Sequence, residues 1–75
     1  MEDEKTFSVI VLSKSGDYLT ETQDQVQKQE HGIQIQNPYI FNENEKAQQV
    51  KAEKVFIPYH AVEAIQHGEF QQQTI

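Results

Sequence analysis

Lys54-Val55-Phe56-Ile57-Pro58-Tyr59-His60-Ala61-Val62-Glu63-Ala64-Ile65 is the densest apolar stretch in a chain otherwise dominated by Gln and Glu, so any core has to be built on it. Val55, Phe56 and Ile57 are β-branched or aromatic and favour a pleated strand. Pro58 has no N–H and holds Ile57 extended, so regular pairing should stop or bend there. Val62 to Ile65 then resumes as a second short strand. The segment reads as two strands joined by a tight corner at 58–61. The competing reading is a short helix over Ala61 to His67 stopped by Gly68, which two turns of helix would stabilise poorly in isolation.

Working outward, seventy-five residues make one small domain, whose core rarely supplies more than about 3–5 kcal/mol. With no Cys, disulfides and thiolate zinc sites are excluded. Three His without ligand spacing make a structural metal a poor reading as well. Self-association is the remaining common source of support, and open sheet edges give a second reason for it. Twelve acidic residues against six Lys, with no Arg, give a formal charge of −6, which opposes phosphate backbones and suits solubility or a basic partner. The lack of a signal peptide or an apolar run of spanning length points to a cytoplasmic protein with no membrane partner.

Residues 1–6 carry Glu2, Asp3 and Glu4 without periodicity and read as a frayed leader. Phe7 to Ser13 is the first clear strand, with Phe7, Val9 and Val11 on one face and Ile10 and Leu12 on the other. A turn at 14–17 follows, with Gly16 as the natural site of positive φ. Tyr18 to Thr22 reads as the returning strand, anchored by Leu19 and continuing as an exposed edge strand towards His31, with Val26 its one apolar residue. After Gly32, the alternation Ile33-Gln34-Ile35-Gln36 marks a half-buried strand that Asn37 and Pro38 interrupt. Tyr39 to Phe41 extends it, and Asn42 to Lys46 is polar enough for a hairpin tip. A short helix in the 42–54 insertion competes, because Asn42 and Glu45 have capping-box spacing. The single domain then spans 7–68, and 69–75 reads as a flexible tail.

Five short strands, no room for crossover helices and a sharp final corner describe an all-β chain, a small five-stranded SH3-like barrel. The order of Phe7 to Leu12, Gly16, Tyr18 to Thr22, then Gly32, Ile33, Ile35, Asn37 and Pro38, an insertion, and Val55 to Ile65 resembles the Sm-like fold. The run Phe56 to Val62 is also similar to the bacterial host factor Q branch of RNA chaperones, whose closing turn carries Lys-His-Ala. His60 and Ala61 fit that turn, and Tyr59 stands in place of its Lys. The resemblance covers residues 7 to 66 as a pattern. It implies rings in which the last strand of one subunit pairs with a strand of the next. Gln29, Glu30, His31 and Gly32 stand where Sm proteins usually offer an Asp and an Asn to a base.

On this reading the candidate ligand-binding residues are Tyr59, His60, Asn37 and Tyr39. An aromatic ring can stack on a base and an imidazole can donate to phosphate or carbonyl, although packing across an interface explains Tyr59 and His60 as simply. Asn37 can read a base edge or merely shape a turn, and Tyr39 and Phe41 can form a stacking platform or be buried under the hairpin. Nothing in the sequence carries a catalytic motif, a metal set or a cofactor loop, so an enzyme is not expected. The expectation is a non-enzymatic, homo-oligomeric ring holding single-stranded RNA or a small nucleotide between subunits. A protein of a different class, an acidic inhibitor of phage or mobile-element type that sequesters a basic nucleic-acid-binding protein, and a structural adaptor are the alternatives.

Overall fold

The strand expected at the start of the chain is longer than its apolar run. In the computed structural model, which describes residues 3–50 and 52–74, β1 spans Asp3–Ser13 and returns as β2, Gly16–Thr20. Gly16 takes φ 140 in the intervening turn, a region that residues with a Cβ avoid. A 3₁₀ turn at Gln23–Gln25 leads into the short edge strand β3, Val26–Lys28. A tight turn, in which the Gln29 N–H donates to the Gly32 carbonyl at 2.8 Å, leads to β4, Gly32–Gln36. Asn37 at φ 47 and Pro38 then break the strand, and β5 resumes at Tyr39–Phe41. β6 is Ala47–Gln49 and β7 is Lys54–Pro58. A 3₁₀ corner at Tyr59–Ala61 delivers the chain into β8, Val62–Thr74.

These segments amount to five passes, because β2 with β3, β4 with β5 and β6 with β7 are halves of bent strands. One set of halves joins β1 and β8 in a closed barrel of order β1-β2-β5-β6-β8, and the other forms the sheet β3-β4-β7. The chain is therefore all-β and barrel-like. Splitting each middle pass at a bend lets a small sheet curl round a core without a crossover.

Burial follows the alternation in the sequence. Val9, Val11, Ile33, Ile35 and Ile57 form the larger cluster, with Tyr18, Val26, Val55, Ala61, Val62 and Ile65 packed on its margin. A second cluster gathers Phe7, Leu19, Tyr39 and Ala47, flanked by Ile10 and Phe70. There the rings of Phe7 and Tyr39 meet edge to face, with centroids 5.0 Å apart and planes at 67°, the arrangement that aromatic quadrupoles favour. Lys5 lies 5.6 Å from the Tyr39 centroid and pairs with Glu21 at 3.4 Å. Tyr39, and then Glu21, hold the pKa of the Lys5 ammonium above its ordinary value.

Two expectations are corrected, and one choice is decided. Of the two readings of the insertion after Phe41, the hairpin holds and the competing helix does not form among the described residues: β5 and β6 pair antiparallel from Tyr39↔Gln49 to Phe41↔Ala47. The Asn42 side-chain oxygen accepts the N–H groups of Asn44 and Lys46, closing the tip instead of capping a helix. The leader is strand from Asp3 onward, and the tail is strand through Thr74, because Asp3 to Thr6 pairs with Gln71 to Thr74. Met1, Glu2 and Ile75 of those two segments lie outside the described residues. Thr74 is buried and pairs with Ala47, so this ribbon completes the second core.

A chain ending at His67 loses Phe70 and the strand opposite Asp3 to Phe7. It should be destabilised by about 3–5 kcal/mol, the range for removing a large aromatic side chain from a core, and show a lower urea midpoint. An unchanged midpoint would mean that residues 68–75 contribute nothing to the core.

Candidate functional site

The corner between β7 and β8 is pinned from two sides. Pro58, at φ −64 and ψ 150, ends the strand, and the Val62 N–H caps the 3₁₀ turn by donating to the Tyr59 carbonyl. On one flank the Lys14 N–H donates to the Ala61 carbonyl at 2.9 Å, fastening the corner to the β1–β2 turn. On the other, the Tyr59 N–H donates to the His31 carbonyl at 3.3 Å and the Tyr59 hydroxyl donates to the Gln29 carbonyl. The corner is thus tied to the β3–β4 turn through both backbone and side chain. Such ties fix side chains more firmly than a free loop does.

Tyr59 is nevertheless 46% exposed, and His60 is exposed beside it. Phe56 joins this surface at 51% exposure. In β7 the inward positions fall to Val55 and Ile57, so Phe56 faces outward, paired with Gln34 across the ladder. Its ring covers Gly32, where a Cβ would lie 2.7 Å from Phe56 Cζ. Sequence reasoning placed Phe56 with its apolar neighbours and missed it as a surface residue. Strict alternation from the buried Ile57 was the available signal. Two exposed aromatic rings and an exposed imidazole on a fastened corner can stack a planar ligand and donate hydrogen bonds to it.

The other two candidates lie elsewhere. Asn37 sits beyond the far end of the β4–β7 ladder, in which Gly32 pairs with Pro58 near the corner and Gln36 with Lys54 at the opposite end. Four residues of strand put about 13 Å between those ends. The Asn37 N–H donates to the Glu53 carbonyl at 2.9 Å, and Gln36, Asn37, Glu53 and Lys54 line a hollow of about 280 Å³. Tyr39 is buried at 8% exposure, its ring against Phe7 and Lys5. Packing in the second core removes it from any stacking role. Phe41, 37% exposed, borders two further shallow clefts, one beside the β1–β2 turn and one beside Gln72.

Two strand margins flank the corner. β7 pairs with β4 alone, and β8 pairs with β1 along its length and with β6 only at Thr74. Among the described residues, the outer edges of β7 and of β8 before Thr74 carry no strand partner. No group of three or more His, Asp or Glu that could hold a metal ion occurs among the described residues. Among them, too, no helix is long and apolar enough to cross a membrane. Searches of protein-family models, of curated proteins and of solved structures find no match to this chain.

Proposed function

We propose that the chain is a non-enzymatic binding protein that assembles with copies of itself and holds single-stranded RNA or a small nucleotide at the corner. The observation that carries the reading is the pair of open edges, β7 and β8, on either side of exposed Tyr59, His60 and Phe56. An edge that offers unpaired N–H and C=O groups recruits another strand. Because β7 and β8 are different edges of one subunit, joining β7 of one copy to β8 of the next is a heterologous contact, which closes as a ring if the rotation allows. Each junction then lies next to a corner, so a ligand at Tyr59 sits at a boundary between subunits. With a net charge of −6 and no Arg, stacking and neutral hydrogen bonds supply the affinity, and its dependence on salt is shallow.

Light scattering coupled to gel filtration should give an oligomer at micromolar concentration, and a strict monomer would overturn the assembly. Fluorescence titration with a short oligonucleotide separates the two uses of Tyr59. Tyr59→Phe keeps the ring, loses the hydroxyl tie to Gln29 and should bind within about twofold of the parent. Tyr59→Ala should weaken binding by about 5–150-fold, the worth of one stacked base. Equal affinities for both variants would remove the stacking role. Salt-sensitive capture of a basic protein by a chain that binds no oligonucleotide or nucleotide would replace this reading with an acidic inhibitor.

A further inference from the structure

The hollow beyond the far end of β4 and β7 differs from the corner in being bordered by four polar residues, Gln36, Asn37, Glu53 and Lys54, with no aromatic among them. It is formed by two chain segments, 36–37 and 53–54, held together by the Asn37 to Glu53 backbone hydrogen bond of 2.9 Å. Among the described residues the side chains of Gln36, Asn37, Glu53 and Lys54 make no hydrogen bond or ion pair. Three amides elsewhere are tied: Gln25 donates to the Gln36 carbonyl, Gln29 donates to the Gln34 side chain, and Asn42 closes its own turn, whereas most exposed Gln side chains, like Asn37 at the hollow, face solvent. Asn37 holds φ 47, a left-handed conformation tolerated by asparagine and concentrated at ligand sites, yet its side chain is not used to shape the kink.

We propose that this hollow binds a guanine base. The inference rests on the nucleotide reading above and uses none of the corner residues. A carboxylate presents two acceptor oxygens and no donor, so Glu53 pairs with two adjacent N–H groups on a planar edge. Among the four RNA bases, guanine alone offers that pair, from N1–H and the N2 amine. Adenine and cytosine set an acceptor beside their amine, and uracil flanks its single N–H with two carbonyls. Lys54 only donates and suits O6 or N7, while the Asn37 and Gln36 amides can donate or accept at the remaining positions. At about 280 Å³ the hollow falls just below the usual range for small-molecule sites, room for a single base and not for a dinucleotide.

Titration of the full chain with guanosine, adenosine, cytidine and uridine, followed by amide shifts in two-dimensional NMR, tests this without phosphate in the probe. Guanosine should move the Asn37, Glu53 and Lys54 amides and bind about 5–150-fold more tightly than the other three nucleosides, the discrimination of one good bidentate pair. Glu53→Gln puts a donor where an acceptor is needed and should abolish the preference. Asn37→Gly keeps the left-handed backbone accessible and should weaken guanosine about threefold or more with no change of fold. Equal shifts from all four nucleosides, none from guanosine, or guanosine binding unchanged in Glu53→Gln would each overturn the assignment. Oligonucleotide binding that depends on Tyr59 but shows no preference for guanine would remove this site and leave the corner in place.

Discussion

Ile57→Asp should unfold the protein. Ile57 is 2% exposed, lies opposite Ile33 in the ladder and shares the larger core with Val9, Val11 and Ile35. No cation belongs to that cluster, so a carboxylate there is buried unpaired, at a cost of several kcal/mol before the lost packing is added. A domain of this size holds only about 3–5 kcal/mol from its core, so no folded population should remain. The readout is collapse of amide dispersion in NMR together with loss of the cooperative urea transition. Ile57→Val, which removes one methylene, should cost only about 0.5–1.5 kcal/mol and stay folded. A folded, soluble Asp variant would show that this position is not sealed.

Gly32→Ala is the second large effect, and it acts through backbone. An added Cβ would sit 2.8 Å from Pro58 Cα, closer still to the Ile57 carbonyl oxygen, and 2.7 Å from the Phe56 ring. The ring can rotate away, but the two backbone atoms belong to β7, whose pairing with β4 begins at Gly32↔Pro58. Overpacking of this kind typically costs about 1–3 kcal/mol, and more when the backbone must shift. Thermal melts should show a midpoint lower by roughly 10 °C or more, from the usual several degrees per kcal/mol in a domain this small. Tyr59 should also become more exposed, since its ties reach Gln29 and His31 on the same turn. Gly16→Ala has no such neighbour and differs in cause: only its φ of 140 is unfavourable.

Much of the architecture was legible because period-two patterning is strong where the core is. Ile33 and Ile35 alternate with Gln and are both fully buried, Leu19 anchors β2, and Asn42 to Lys46 forms the tip. The length of β8 was hidden because Val62, Ile65 and Phe70 are spaced by three and five, which no regular strand puts on one face. Register shifts between Leu12 and Ser13 and between Phe7 and Val9 bring them opposite Ser13, Val11 and Phe7, all buried. These bulges bend β8 round the barrel, and the Phe70 ring covers Gly68 at the second of them.

The candidate residues divided for a related reason. Tyr59 and His60 could be placed because Pro58 forces a corner. Asn37 and Tyr39 are only two positions apart, yet the left-handed kink at Asn37 sends one to the surface and the other into the second core. A kink of that kind leaves little trace in composition. Phe56 was hidden by its apolar neighbours, and its partner Gly32 can be recognised only once the β4–β7 register is known.

The long pairing of β1 with β8 has a consequence for how the molecule is made. Asp3 meets Thr74 and Ser13 meets Val62, so β1 leaves the ribosome well before β8 and waits for it before this ladder can close. Until then Phe7, Val9 and Val11 travel without their final neighbours. Contacts this distant in sequence delay folding, and an incomplete nascent chain with bare strand margins is open to capture by other chains. The acidic, Gln-rich segments between the two strands keep that waiting intermediate charged and hydrated while synthesis catches up.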